Sequence, residues 1–249
     1  MSVKPILFNT DMVRAILDGR KMVTRRVVKP QPVCYRPNIT FTPHSNDFFI
    51  SAEKGWLRCR DCGNDPEYSQ EWSSVSHHWI PPYQLNDIIY VRETQSIHRA
   101  NNMCDKYIRV NYKADGVSQD FRVSEKEWKR LAKYDYTDEC YISPYWTTYE
   151  TCRIWLKVTN VRVERLQDIT HTQADNEGVG SLFFEDIAFG DERYNIPYIQ
   201  EEGLSRHQFA YLWDSTVKKL DIDRYGWDAN PWVWVIEFER CEKPQEVEQ

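Results

Sequence analysis

The closing stretch of the sequence, residues 231–238, restricts the fold more than any other segment. Trp232 and Trp234 point to one side of a strand at this position, and Val233 and Val235 point to the other. A strand that is apolar on both faces is buried on both faces, as happens in the interior of a sheet. The sequence therefore predicts a central strand near its C-terminal end.

Composition excludes several classes of protein. The chain has 249 residues, 41% hydrophobic and 28% charged, which is typical of neither a disordered nor a collagen-like chain. It lacks an apolar run of the roughly 18 residues that a membrane span needs, and the sequence shows no signal peptide, so we expect a cytoplasmic protein with no membrane partner. Aromatic residues reach 14%, which indicates a core built largely from rings.

The overall charge argues against general binding to duplex nucleic acid. The chain carries 32 Lys and Arg residues against 38 Asp and Glu residues, a formal net charge of −6. Non-specific duplex binding depends on neutralising phosphates, so a histone-like or repressor-like role is not expected. A local basic groove remains compatible with this balance, and residues 20–29 hold five basic residues and no acidic one.

Periodicity and capping signals predict one α+β domain over residues 1–249. Strands are predicted at residues 4–7, 88–91 and 107–113, and two more between 153 and 164 with a break at Asn160. Helices are predicted after Asn9 or Thr10 up to Gly19, at 125–132, from Thr170 to Gly178, and after a Ser205–Gln208 capping box. Residues 30–82 and 180–203 lack a period and are predicted insertions, the first with a small hairpin at 48–50 and 55–58.

Residues 15–26, Ala-Ile-Leu-Asp-Gly-Arg-Lys-Met-Val-Thr-Arg-Arg, resemble the signature of ASCH domains, a branch of the PUA-like superfamily. In that signature a helix ends in Gly-x-Lys, and a polar residue follows three positions later. The turn at Asn86-Asp87 into residues 88–91 and the closing strand at 232–238 resemble further blocks of the family. Residues 91–94, 161–169 and 225–240 resemble blocks of the ASCH-like type found in phages and prophages. The resemblance leaves both insertions out. It implies a PUA-like fold, a small and mostly antiparallel β-barrel with flanking helices and long loop insertions.

The resemblance also implies an activity. In ASCH members that hydrolyse N4-acetylcytidine the working residues are a lysine, a threonine three positions on and a glutamate, which correspond to Lys21, Thr24 and Glu177. A desolvated lysine can act as the base that activates a threonine hydroxyl, and a carboxylic acid can protonate the leaving amine. The alternative is that Lys21 and Thr24 have only structural roles, because a cation near a helix C-terminus and a threonine in a strand are both common.

A binding cleft is the broader expectation. Its candidate residues are Arg20, Arg25, Arg26, Glu93, Tyr225 and Trp227. The arginines are either cleft residues or a solvated cluster on an edge strand. Glu93 shares the apolar face of its strand and is either paired, with Lys21 or Arg26, or solvated at the strand end. Tyr225 and Trp227, in a turn, are better candidates for stacking on bases than the aromatic run at 141–149, most of which is expected in the core.

A zinc site is the weaker hypothesis. Cys59 and Cys62 have the spacing of a zinc knuckle, and His77 could supply a third ligand. Two thiols in a loop hairpin explain the same pair, so no metal and no cofactor are expected.

The leading functional hypothesis is binding of a nucleobase, a nucleoside or single-stranded RNA, with amidohydrolysis of an N4-acylated cytidine as its enzymatic version. The alternative is a phage module that binds a host protein to inhibit or recruit it.

Overall fold

The structure, a computed structural model, describes residues 2–32, 34–35, 43–45, 48–51, 55–60, 79–101, 106–131, 141–179 and 204–244. The chain divides into two compact units. The first comprises Met1–Lys21, Asn86–Val158 and Phe238–Gln249, and the second comprises Met22–Leu85 and Thr159–Glu237. A single domain over the whole chain stays a prediction, and the predicted insertion at 180–203 lies outside the described residues.

The described elements are twelve strands and five α-helices. The strands are β1 (Val3–Leu7), β2 (Val23–Val27), β3 (Cys34–Tyr35), β4 (Pro43–Ser45), β5 (Phe48–Ile50), β6 (Leu57–Cys59), β7 (Ile88–Arg92), β8 (Gln95–Asn101), β9 (Lys106–Tyr112), β10 (Ser118–Arg122), β11 (Trp155–Arg165) and β12 (Trp232–Cys241). The helices are α1 (Thr10–Leu17), α2 (Glu125–Leu131), α3 (His171–Asn176), α4 (Leu204–Thr216) and α5 (Ile222–Tyr225).

The first unit contains a mixed sheet and a separate antiparallel one. β1 pairs in parallel with β7, with Ile6 opposite Val91, and β7 pairs antiparallel with the start of β11. β8, β9 and β10 form the antiparallel sheet in the order β10-β9-β8. Ile108, Val110 and Tyr112 of β9 are fully buried there, with Leu131 of α2 in the same core.

The second unit is organised around β12. This strand lies between β11 and β2 in strand order, and its residues 232–236 are all buried. The prediction of a central strand near the C-terminal end is therefore confirmed. β2 pairs antiparallel with β12 and places Arg26 opposite Trp234. Val233 and Val235 pack with Phe209 and Trp213 of α4.

Local capping chemistry sets the ends of two helices as expected. The Asn9 side chain accepts a hydrogen bond from the Met12 amide at the start of α1, and Gly19 adopts a positive φ of 74° just beyond its end. Thr170 and Gln173 form a complete capping box at the start of α3. Both helices have the predicted bounds because their signals are local.

Two predictions from pattern were wrong. β11 is one continuous strand of 11 residues, since Asn160 stays within it and its side chain donates to Glu237 at 3.4 Å. α4 begins at Leu204, so Ser205 lies inside the helix, where its hydroxyl donates to Asp175. The hairpin in the first insertion is confirmed, as β5 pairs with β6.

The observed fold class is α+β, with sheets that mix parallel and antiparallel pairing. The strands of the described ranges do not close into a barrel. Within those same ranges, every helix is too short or too polar to cross a membrane.

Candidate functional site

The basic segment of the sequence forms β2, and alternation along the strand separates its functional residues. Val23 and Val27 pack against the core beneath α4, and the Arg25 guanidinium lies 5.8 Å from the ring centroid of Phe209 in that core. Successive side chains of a strand point to opposite faces, so Thr24 and Arg26 share the other face. Arg25 therefore lies on the face of β2 that packs against α4, and Thr24 and Arg26 lie on the opposite face.

Arg25 is the centre of a buried polar network. Its side chain has no exposed surface, and its Nη1 donates to Oε1 of Glu177 at 3.1 Å. Its Nη2 donates to Oε1 of Gln173 at 3.1 Å and to Oε2 of Glu164 at 3.4 Å. The Gln173 oxygen also accepts from the Thr170 amide, so Arg25 is tied directly to the capping box of α3.

Glu177 occupies the C-cap of α3 and is buried. The structure thus brings together two predicted site residues, Arg25 and Glu177, that are 152 positions apart. The solvated alternative for Arg25 is wrong. Gln173 and Glu164 complete the network and were not identified from the sequence, although the capping-box pattern places Gln173 at the start of the same helix.

Thr24 is buried, and its hydroxyl takes part in no hydrogen bond among the described residues. It lies opposite Ile236 in the ladder. A hydroxyl without a protein hydrogen bond can bind or attack a ligand group only where a ligand reaches it. Thr24 lines neither of the two hollows beside β2, so its predicted role as a nucleophile stays a prediction.

Lys21 and Arg20 belong to the first unit and differ in their surroundings. Lys21 has only 3% exposure, and its Nζ lies 5.5 Å from the ring centroid of Phe8. Arg20 is exposed and donates to Asp18 at 2.8 Å. The role of Lys21 as a base stays a prediction, since a buried lysine beside an aromatic ring is also an ordinary part of a folded core.

Glu93 lies in the first unit just after β7, and its partner is a residue that the sequence did not single out. Both of its carboxylate oxygens accept from the Arg153 guanidinium, each at 2.9 Å. Arg153 also donates to Asp115 at 2.7 Å, and its guanidinium lies 3.8 Å from the ring centroid of Tyr112. The expected pairing of Glu93 with Lys21 or Arg26 is replaced by this bidentate pair.

Burial controls the protonation of the Glu93 cluster. It raises the pKa of Glu93, and the hydrogen bonds and charge of Arg153 offset only part of that rise. It also raises the pKa of the Tyr112 phenol, with the Glu93 charge adding to the effect. The cluster is therefore a desolvated network in which Arg153 is the neutralising charge.

Two hollows flank β2 in the second unit. The Tyr225 hollow has a volume of about 270 Å³ and is lined by Arg25, Arg26, Val27, Lys29, Trp213, Thr216, Val217, Lys218, Asp221 and Tyr225. The Tyr83 hollow has a volume of about 310 Å³ and is lined by Arg26, Val27, Lys29, Ile80, Pro82, Tyr83 and Trp234. Both contain Arg26, Val27 and Lys29, so they adjoin along the same strand.

The two cations shared by the hollows, Arg26 and Lys29, differ in how deeply they are buried. Burial lowers the pKa of the half-buried Arg26 guanidinium, while Tyr83 and Glu177 act in the opposite direction. Lys29 is exposed, and its Nζ lies 4.5 Å from the ring centroid of Tyr225. Lys29 and Tyr83 were not among the predicted site residues, although Lys29 ends the basic run that the sequence displays.

Tyr225 and Trp227 are less accessible than a stacking platform requires. Tyr225 ends α5 and is buried, and its carbonyl accepts from Trp213 Nε1 at 2.8 Å. Trp227 is half-buried and packs edge-on against Phe209 at 6.3 Å. Among the described residues, the most exposed rings belong to the first unit instead: Tyr145 with 62%, Tyr141 with 42% and Trp146 with 41% exposure. The expectation that most of the 141–149 run is core fails at these positions.

The zinc hypothesis falls mainly on positions that the structure does not describe. Cys59 is fully buried at the end of β6, whereas Cys62 and His77 lie outside the described residues. Among the described residues, no cluster of three His, Cys, Asp or Glu side chains could hold a metal ion.

Comparison of the chain with protein-family models, curated proteins and solved structures gives no match.

Proposed function

We propose that the protein binds a nucleobase, a nucleoside or single-stranded RNA along β2, and that it is an ASCH-type member of the PUA-like superfamily. The observation that carries the proposal is the pair of adjoining hollows that share Arg26, Val27 and Lys29. In a chain of net charge −6, this strand gathers cations beside aromatic walls.

The chemistry of the Tyr83 hollow supports a base. Its walls combine apolar and aromatic surface from Ile80, Pro82, Tyr83 and Trp234 with the cations Arg26 and Lys29. Single-stranded RNA is recognised through unstacked bases that contact aromatic rings or guanidinium planes, together with cations that follow the backbone. The exposed Ile80 adds apolar surface that a flat base can cover.

The buried residues of β2 support a defined site more than a general charged surface. Arg25 is fixed by Glu177 and Gln173, so the strand that carries Thr24 and Arg26 is held to α3. A rigid strand can present its side chains to a ligand without further ordering. Hydrolysis of an acylated cytidine, which the sequence resemblance implies, would use the Thr24 hydroxyl on the same strand.

Fluorescence anisotropy with a labelled single-stranded hexaribonucleotide tests the proposal. We expect measurable affinity at low salt that falls as salt rises, because a few cations neutralise phosphates. Arg26→Gln combined with Lys29→Gln should weaken binding and flatten the salt dependence, whereas the control Arg109→Gln, an exposed residue of the first unit, should change neither. Absence of binding at low salt, or equal binding by the double variant, would contradict the proposal and favour a protein partner.

A further inference from the structure

We propose that the Tyr225 hollow is a phosphate subsite, so that the protein prefers a nucleotide or a phosphorylated RNA strand over a free nucleoside. This inference rests on the proposed function and specifies the ligand of the same site. It assigns the base to the Tyr83 hollow and the phosphate to its neighbour.

The charge lining the Tyr225 hollow favours an anion. Arg25, Arg26, Lys29 and Lys218 contribute four cations, and Asp221 contributes one acid. Arg25 is paired with Glu177, whereas Lys29 and Lys218 are exposed and can meet a ligand charge. Arginine forks and lysine ammonium groups are the usual protein partners of phosphate.

An unsatisfied donor of Arg25 provides an independent observation. The Arg25 side chain is fully buried and lines this hollow, and its Nε has no hydrogen-bond partner among the described residues. Buried polar groups in proteins are nearly always hydrogen-bonded, and an exception calls for an explanation. The uncompensated N–H leaves this wall of the hollow electropositive, which favours an anion beside it even though the donor itself has no exposed surface.

The opposite wall limits where the phosphate can lie. Thr216 ends α4, and the carbonyl end of a helix repels anions, as does the nearby Asp221. The phosphate is therefore expected beside β2, near Arg26 and Lys29. The volume of about 270 Å³ lies below the roughly 300–1,000 Å³ of sites for drug-sized ligands, which suits a small group.

The two hollows border the same stretch of chain at the edge strand β2. Arg26, Val27 and Lys29 border both of them, so a base on one side of these residues and a phosphate on the other would contact the same strand. The subsite thus explains why cations concentrate at the junction of the hollows.

Isothermal titration with cytidine, cytidine 5′-monophosphate, cytidine 3′-monophosphate and inorganic phosphate tests the subsite in the full-length protein. We expect at least one monophosphate to bind about tenfold more tightly than cytidine. A tenfold gain in affinity is close to what one hydrogen bond to a charged group contributes. Lys29→Ala should reduce this preference, and Lys218→Ala should reduce it less. The matched control is Lys219→Ala, an exposed neighbour that does not line the hollow.

The outcomes separate the two proposals. Equal affinity for cytidine and both monophosphates would overturn the phosphate subsite and leave the proposed function standing. A preference for a monophosphate that Lys219→Ala reduces as much as Lys29→Ala would also overturn it, because general surface charge would then explain the preference. Failure of every ligand and of the hexaribonucleotide to bind would overturn both proposals.

Discussion

Nη1 of Arg25 lies 3.1 Å from Oε1 of Glu177, within a region where neither side chain has more than 5% exposure. The contact joins an edge strand to the C-cap of a helix 152 positions away in sequence. It makes Arg25 a positioning residue of the candidate site, while Arg26 and Lys29 are the cations that line both hollows.

Arg25→Met is expected to destabilise the fold. Removing the guanidinium leaves Glu177 buried without that counter-charge, which typically costs about 3 kcal/mol or more. Arg25→Lys should cost less than Arg25→Met but remain destabilising, because an ammonium group cannot reproduce the fork that binds Glu177 and Gln173. Urea denaturation measures both changes.

The control for Arg25→Met is Lys129→Met, which removes an exposed pair with Glu125 and should change the unfolding free energy by less than about 1 kcal/mol. Equal unfolding free energies for wild type and Arg25→Met would show that the network does not stabilise the fold.

Arg153→Met is expected to destabilise the first unit in a pH-dependent way. Burial already raises the pKa of Glu93 above its ordinary value of 4.5, and loss of Arg153 would raise it further. The stability contributed by the protonated form is complete below the unfolded pKa and is lost as pH rises through the folded pKa. The variant should therefore lose more stability at pH 7 than at pH 4.5.

Denaturation of wild type and Arg153→Met at several pH values measures this dependence. Arg109→Met, at an exposed pair with Asp120, provides the comparison and should show little change at any pH. A difference between wild type and Arg153→Met that stays constant across pH would show that Arg153 does not lower the pKa of Glu93.

Thr24→Val is expected to leave stability nearly unchanged, because the Thr24 hydroxyl has no hydrogen bond among the described residues. The buried Thr151 provides the contrast, since it accepts from Gln95 and donates to the Thr148 carbonyl, each at 3.3 Å. Thr151→Val should cost about 1–3 kcal/mol through unsatisfied groups. Thermal and urea denaturation compare the two variants.

Thr24→Val also tests whether the Thr24 hydroxyl takes part in hydrolysis. If the protein hydrolyses an N4-acylated cytidine, Thr24→Val should abolish turnover in a folded protein that still binds RNA. Turnover that survives in Thr24→Val would exclude Thr24 as the nucleophile.

Features carried by short stretches of sequence were predictable. The bounds of α1 and α3 follow from Asn9, Gly19 and the Thr170 capping box, and the basic run at 20–29 includes the strand on which the candidate site is proposed. These signals act within a few residues, so the sequence displays them directly.

Features that depend on distant residues were not predictable. The partner of Glu93 is Arg153, 60 positions away, and nothing near either residue indicates the pairing. β10 is polar and largely exposed, so its residues show no apolar alternation, and its pairing with β9 defines it. Asn160 looked like a break because its side chain is polar, yet its backbone continues β11.

The most direct test of binding along β2 is a map of amide chemical shifts during titration of the labelled protein with a single-stranded hexaribonucleotide. If RNA binds along β2, the largest shifts occur in β2 through Lys29 and at residues 80–83, with further shifts at Lys218 and Tyr225. Shifts confined to the exposed rings of Tyr145 and Trp146, with β2 unchanged, would contradict binding along β2.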